Sequence, residues 1–188
     1  MNKEGKRVMK KVIHVITYTV LVLMFIALFV YLLYPSKTTL ALLITGLTTS
    51  YHFVMRIIVG HSVDGIMKNK ANYHHQWYKI SKVEEKIYEV IKVGQWKKYM
   101  PTYSPESFSL KHHTLEEIVM AMCQSEIVHE IIVVFSFVPV LAIPWLGEPE
   151  VFIITSFLAA CFDMTFVIMQ RYNRPRIIKL IEKRRSRK

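Results

Sequence analysis

Four long runs of apolar residues, separated by polar or strongly charged segments, dominate the sequence. The first reads VIHVITYTVLVLMFIALFVYLLY over residues 12–34 and contains no Asp, Glu, Lys or Arg. A helix of about 20 such residues crosses a hydrocarbon core about 30 Å thick. Because the run is longer than a signal-peptide core and no small-x-small cleavage pattern follows it, we expect a retained transmembrane helix. Similar runs predict further spans at 38–60, 118–143 and 151–170.

The long segment between the second and third spans, residues 61–116, has a helical pattern. Lysines and glutamates fill most of the positions between its apolar residues. The apolar residues recur at steps of three and four, at Trp77, Ile80, Val83, Ile87 and Ile91. This spacing predicts an amphipathic helix that ends near Gly94 and lies at the membrane surface. The alternative is a soluble helix packed on the rest of the loop. The sequence therefore predicts an all-α membrane protein, with one domain over residues 1–188 and a basic C-terminal tail over 171–188.

Charge orients the predicted spans. The net charge is +11, and the Lys and Arg residues concentrate in both tails and in the central loop, whereas the other two loops carry one lysine and two glutamates. The positive-inside rule therefore predicts a cell-membrane protein with both termini in the cytoplasm. Anionic lipid headgroups explain the basic segments beside membrane spans better than nucleic acid does. Neither Cys123 nor Cys161 belongs to a CxxC or Cys/His cluster, which argues against a disulfide framework or structural zinc.

Ionisable residues inside the predicted spans are costly in a membrane and are usually functional. Three spans carry them: His52 and Arg56 in the second, Glu126, His129 and Glu130 in the third, and Asp163 in the fourth. At 1.5 Å rise per residue, His52, Glu126 and Asp163 fall roughly 10–14 Å below the cytoplasmic surface. This common depth predicts a polar site in the cytoplasmic half of the bilayer. The alternative is a set of interhelical ion pairs, such as Arg56 with Glu126 or Asp163.

Glu126, His129 and Glu130 are spaced to share one face of a helix. A carboxylate beside a histidine fixes the tautomer and raises the basicity that a general base needs. Glu126-x-x-His129 also has the spacing used in di-iron four-helix bundles, but those bundles need a second Glu-x-x-His. We therefore expect no bound metal, although a metal-dependent lipid oxidase or desaturase remains an alternative.

The end of the fourth span reads QRYNRPR, and its polar residues are Gln170, Arg171, Tyr172, Asn173, Arg174 and Arg176. Arginine forks bind phosphate or carboxylate through two parallel hydrogen bonds, so this segment predicts an anion receptor. The alternative is a topological anchor, which needs positive charge but no Gln, Tyr or Asn.

The QRYNRPR segment, with Glu-x-x-His upstream, resembles the glycosyl-4,4'-diaponeurosporenoate acyltransferase family over about Trp77 to Arg176. Trp77-Tyr78 and Trp96-Lys97-Lys98 are similar to the family's aromatic and Trp-Lys elements, and Ser125–His129 is similar to its Ala-Glu-Leu-Ile-His segment. Two features depart from the family: residues 121–124 are uncharged, and Asp163 stands where Asn is usual. The resemblance implies a membrane enzyme that esterifies a sugar hydroxyl of a glycosylated carotenoid with a fatty acyl chain.

We therefore predict an acyltransferase acting on a lipid or glycolipid. His129, oriented by Glu126, would take the proton from the acceptor hydroxyl, with Glu130 and Asp163 in the catalytic set. The predicted substrate-binding residues are His52, Arg56, Trp77, Trp96, Gln170, Arg171, Tyr172, Asn173, Arg174 and Arg176. No cofactor is bound, and the co-substrate is an acyl thioester, either acyl-CoA or an acyl carrier protein. Membrane lipids are the other expected partners, and the competing hypothesis is a non-enzymatic lipid-binding or scaffold protein.

Overall fold

A computed structural model describes residues 3–101 and 105–187, and these residues form helices and no strand. The all-α prediction is confirmed. Four helices are long and apolar enough to cross a membrane, the third when the short turns that follow it are included. The long helices are α1 (Lys3–Leu33), α2 (Lys37–Met67), α5 (Leu115–Phe135) and α7 (Pro149–Arg185); the short ones are α3 (Lys82–Val90), α4 (Val93–Trp96) and α6 (Ile143–Leu146).

In the third span, the regular α-helix ends before residue 143, where we predicted the end of the span. Helix α5 stops at Phe135, and a 3₁₀ segment, Val138–Ala142, leads into α6. Pro139 lies in the first turn of that 3₁₀ segment. Proline has no N–H and its ring clashes with the preceding turn, so an α-helix does not continue through it without distortion.

The fourth helix runs beyond the predicted span at 151–170 into the basic C-terminal segment, whose role as a tail over 171–188 stays a prediction. Helix α7 continues to Arg185 with Pro175 inside it. The continuation is amphipathic, since Ile181 is buried against Leu115 and Val119 of α5, with Ile177 packed beside it. Burial of this apolar side stabilises the extra turns at about 25 cal/mol per Å² of apolar surface.

The amphipathic helix of the central segment is shorter than predicted. Ser81 caps α3 through a reciprocal capping box with Glu84, so Trp77 lies outside it in a 3₁₀ turn. Gly94 does not end this helix. The chain leaves α3 at Ile91, Lys92 takes a left-handed conformation with φ 53°, and α4 then includes Gly94.

By their internal contacts, the residues group into two compact units. The first unit contains Met1–Gly60 and Ile131–Asp163. Within it, α1 packs closely on α2 at Gly46, where a Cβ would lie 3.2 Å from the Cα of Met24. The Tyr51 hydroxyl donates to the carbonyl of Phe135 at 2.9 Å, which ties α2 to the end of α5.

The second unit contains His61–Glu130 and Met164–Lys188. Its apolar core joins the first turns of α5 to the last turns of α7. Polar contacts also connect the end of α2 to α5. Gln124 of α5 donates to Asp64 at 2.9 Å and accepts from the N–H of Asn69. The single membrane domain over 1–188 stays a prediction.

Candidate functional site

Glu126 is the centre of a buried ionic network in the second unit. Its side chain on α5 is completely buried. One carboxylate oxygen accepts a hydrogen bond from Arg171 at 2.7 Å, and the other accepts from Arg174, which is also fully buried. Both of its oxygens thus meet guanidinium groups of α7, and the orientation of His129 by Glu126 stays a prediction.

The same two arginines hold the loop before α3. Arg171 donates to the carbonyls of Trp77 at 3.1 Å and Lys79 at 3.2 Å, and Arg174 donates to the carbonyl of Tyr78. Three consecutive loop carbonyls therefore accept from two guanidinium groups of one helix. These bonds fix the path of the loop against α7.

Glu84 completes the network. It accepts from the Nε of Arg171 at 2.8 Å and from the N–H of Ser81, also at 2.8 Å. Burial raises the pKa of Glu84, but the Ser81 hydrogen bond and the Arg171 charge outweigh burial and leave the pKa below its usual value. The two carboxylates, Glu84 and Glu126, balance the charges of Arg171 and Arg174, so this Glu126 network carries no spare positive charge for an anion.

His129 and Glu130 lie on the partly exposed side of α5. The His129 ring stacks on Phe166 of α7, with centroids 4.5 Å apart and planes 10° apart. Glu130 accepts a hydrogen bond from the indole N–H of Trp77 at 2.9 Å. A titratable imidazole with a fixed ring plane thus lies next in sequence to a carboxylate held by an exposed tryptophan.

The other polar residues near the end of α7 have varied partners. Gln170 is buried and donates to Ser125 at 3.2 Å. Asn173 accepts from the Lys97 ammonium, and the ring of Tyr172 contacts both Lys97 and Arg176. Trp96 donates to the carbonyl of Ile91 at 3.0 Å, which stabilises the turn after α3.

The remaining candidates, His52, Arg56 and Asp163, belong to the first unit. Arg56 donates through Nε to Asp163 at 2.9 Å and also to the carbonyls of His52 and Ala159, so the predicted Arg56–Asp163 alternative is confirmed. His52 is buried, and neither ring nitrogen has a hydrogen-bond partner in the described structure. Since Glu126 belongs to the second unit, the common depth of these residues stays a prediction.

The described part of the chain contains no group of three His, Cys, Asp or Glu side chains arranged to hold a metal ion. The two cysteines are free; Cys123 is buried and Cys161 is exposed.

The sequence did not predict two residues of these clusters, Glu84 and Lys97, as site residues. Glu84 sits in Ser81-x-x-Glu84, a capping-box pattern that marks a helix start and a fixed carboxylate. That signal could have identified Glu84 as an ordered acid. Lys97 stood only as part of a Trp-Lys element, and no local signal indicated that it would meet Tyr172, which lies far away in sequence.

Comparison with known proteins bears directly on the second unit. A family model described as glycosyl-4,4'-diaponeurosporenoate acyltransferase matches residues 74–183. No curated protein and no solved structure matches the chain significantly. The family match covers more than half of the chain and contains the Glu126 network, His129 and the QRYNRPR segment. The chain belongs to the glycosyl-4,4'-diaponeurosporenoate acyltransferase family.

Proposed function

We propose that the protein transfers a fatty acyl group from a thioester donor to a hydroxyl of a lipid or glycolipid, with a glycosylated carotenoid as the acceptor class. The observation that carries this proposal is the family match over residues 74–183, which spans both His129 and Phe166, on which its ring stacks. The donor is acyl-CoA or an acyl carrier protein, and the protein itself binds no cofactor.

In the proposed reaction, His129 is the general base. An imidazole nitrogen takes the proton of the acceptor hydroxyl while that oxygen attacks the thioester carbonyl carbon. The tetrahedral intermediate then collapses, the carbon–sulfur bond breaks, and the imidazolium returns the proton to the leaving thiolate. The products are an ester and a free thiol. Stacking on Phe166 supports this role, because it holds the imidazole plane in one orientation.

The Glu126 network is a positioning element in this proposal. Glu126 fixes α7 against α5 through Arg171 and Arg174, and so fixes Phe166 relative to His129. Glu130 holds Trp77 at the partly exposed side, where the indole offers an apolar surface to a lipid substrate.

Two polar groups of the first unit have supporting roles. Asp163 is the counterion of Arg56 in this proposal. In the described structure both ring nitrogens of His52 lack a hydrogen-bond partner, which suits hydrogen bonding to a hydroxyl of a lipid bound within the first unit.

The proposed location is the cell membrane, with both termini in the cytoplasm. Helix α3 supports contact with the membrane surface: Val83, Ile87 and Val90 are exposed at three- and four-residue steps, and lysines flank them. Anionic headgroups attract such lysines at about 1 kcal/mol each. The partners are therefore membrane lipids and the acyl donor, with no nucleic acid.

The test is acyl transfer by His129→Ala in a defined detergent or nanodisc, with His74→Ala, an exposed histidine in the same family segment, as the control. We expect His129→Ala to lower the rate by about 10²–10⁴-fold, the usual contribution of a general base, and to keep its unfolding temperature. Normal turnover by a folded His129→Ala protein would contradict the assignment.

A non-enzymatic lipid-binding protein is the second candidate. The observation that favours it is an apolar cavity of about 480 Å³ in the first unit, lined by Met24, Leu47, Tyr51, Val54 and Phe135 among others. In that case the wild type and His129→Ala would carry the same lipids after purification, and neither would yield an acylated product.

A further inference from the structure

Two cations meet at one aromatic ring in the second unit. The Lys97 ammonium lies 4.9 Å from the ring centroid of Tyr172, and the Arg176 guanidinium lies 3.5 Å from the same centroid. Neither cation has a carboxylate partner among the described side chains. The Tyr172 cluster, defined as Lys97, Tyr172, Asn173 and Arg176, therefore differs from the Glu126 network in carrying two positive charges that no carboxylate of the described side chains neutralises.

The cluster is held in place by contacts that leave these charges available. Gly94 lets Tyr172 approach, because a Cβ at Gly94 would lie 2.8 Å from the tyrosine hydroxyl oxygen. The ring of Tyr88 packs edge-on against Tyr172, with centroids 6.5 Å apart. Among the described residues, Lys97 donates to the uncharged side-chain oxygen of Asn173, and Arg176 donates to the carbonyl of Tyr172.

The two charges repel each other. Burial lowers the pKa of the Lys97 ammonium, and the Arg176 charge lowers it further. A bound dianion would remove this repulsion and would gain a charge-assisted hydrogen bond from each cation. Phosphate groups fit this chemistry, since Arg offers a planar fork and Lys a point charge.

We propose that Lys97 and Arg176 form a phosphate-binding site for the phosphate-bearing end of the acyl donor. Phe166, which stacks on His129, and Arg176 lie ten positions apart on α7, about 15 Å along the helix axis. A pantetheine thioester separates its phosphates from its reactive carbonyl over a length of this order. Naming the acyl donor rests on the proposed function, whereas binding of phosphate by these two residues does not.

The same chemistry could come from the phosphate of an anionic lipid headgroup. The experiment therefore uses coenzyme A and inorganic pyrophosphate as probes, first in uncharged detergent and then in nanodiscs of phosphatidylcholine or phosphatidylglycerol. Binding is measured by calorimetry, without turnover. The variants are Lys97→Gln/Arg176→Gln, the neighbouring charge control Lys98→Gln, and His129→Ala. Lys98 contacts the exposed ring of Tyr99 and lies outside the cluster.

We expect the double variant to weaken binding of both probes at least about tenfold, the loss that one charged hydrogen bond produces. Lys98→Gln and His129→Ala should bind like the wild type, so a failure of the catalytic assignment leaves this site standing. Coenzyme A binding that persists in phosphatidylglycerol nanodiscs supports the donor as the source. Coenzyme A binding by the wild type that is present in phosphatidylcholine nanodiscs and lost in phosphatidylglycerol nanodiscs supports the same phosphate site with a headgroup as the source.

Two further variants test the geometry. Gly94→Ala should displace Tyr172 and weaken pyrophosphate binding, while Gly94→Ala/Tyr172→Phe, which removes the clashing hydroxyl and keeps the ring, should restore it. Equal binding by the wild type and Lys97→Gln/Arg176→Gln, or no binding by the folded wild type, would overturn the proposal.

Discussion

The buried ion pairs of the first unit and of the second differ in how many oppositely charged side chains contact each charged group. In the first unit, Arg56 meets one carboxylate, that of Asp163. In the second unit, Glu126 meets two guanidinium groups, and Arg171 also carries the carboxylate of Glu84. A single pair can be replaced as a unit, whereas each member of the network stabilises several neighbours at once.

The units also differ in the polar atoms they leave unpaired. In the described structure, the buried side-chain atoms of the first unit without a hydrogen-bond partner include both ring nitrogens of His52 and the hydroxyls of Ser50 and Ser156; in the second unit they include only the Nε of Arg174. Leaving a buried donor or acceptor unpaired costs about 1–3 kcal/mol. In the described structure, nearly all buried polar side-chain atoms of the second unit have a hydrogen-bond partner. The first unit has buried polar atoms that could still form a hydrogen bond with a bound hydroxyl or water.

The largest expected effect comes from breaking the network at its centre. Glu126→Gln removes the charge shared by Arg171 and Arg174 and leaves a fully buried guanidinium without a counterion. Loss of one partner of a buried ion pair costs about 3–5 kcal/mol, so we expect a large drop in unfolding temperature in detergent and a low yield.

A rescue variant separates charge imbalance from general damage at this position. Glu126→Leu/Arg174→Met removes one carboxylate and one guanidinium together, and it should be more stable than Glu126→Gln, because apolar replacement of both partners is often neutral. Glu130→Gln serves as the control, since an amide oxygen can still accept from Trp77. Equal stability of Glu126→Gln and Glu130→Gln would show that the network contributes little.

A smaller effect is expected in the first unit. Asp163→Leu leaves Arg56 without its carboxylate, and the Arg56 side chain is 21% exposed, so we expect a loss of roughly 1–3 kcal/mol. Arg56→Leu/Asp163→Leu should recover most of this loss. The four proteins form a double-mutant cycle, read by unfolding in detergent. A double variant as unstable as the sum of both single variants would mean that the two charges are not coupled.

The positions of the spans could be predicted from the sequence because about 20 consecutive apolar residues have few other uses. Their ends could not. Helix α2 runs past Gly60 to Met67, and α7 runs through Pro175. Basic residues after Gln170 indicated a tail, yet the apolar residues between them, such as Ile181, pack on α5 and keep the chain helical.

The candidate residues could be predicted, but several of their partners could not. Spacing placed Glu126 and His129 on one helical face, because helix geometry is local. Spacing could not tell which helix faces Glu126, and the carboxylate meets α7 arginines that we had interpreted as ligands for an external anion. Arg56 with Asp163 was one of two pairings that the sequence left open. Such pairings depend on tertiary packing and leave no periodic signal.

The smallest expected effect is the pH dependence of the network's outer member, Glu84. Hydrogen bonding to Ser81 and the charge of Arg171 lower its pKa below the usual value despite burial. A depressed folded-state pKa gives stability that is present above the unfolded-state pKa and is lost as the pH falls through the folded-state pKa. The stability difference between the wild type and Glu84→Gln should therefore be largest near about pH 6 and shrink below about pH 4. Thermal unfolding in detergent measures it, with Glu85→Gln, an exposed neighbour in the same turn, as the control for loss of charge. A difference that does not change with pH would mean that Arg171 is held by Glu126 and the loop carbonyls alone.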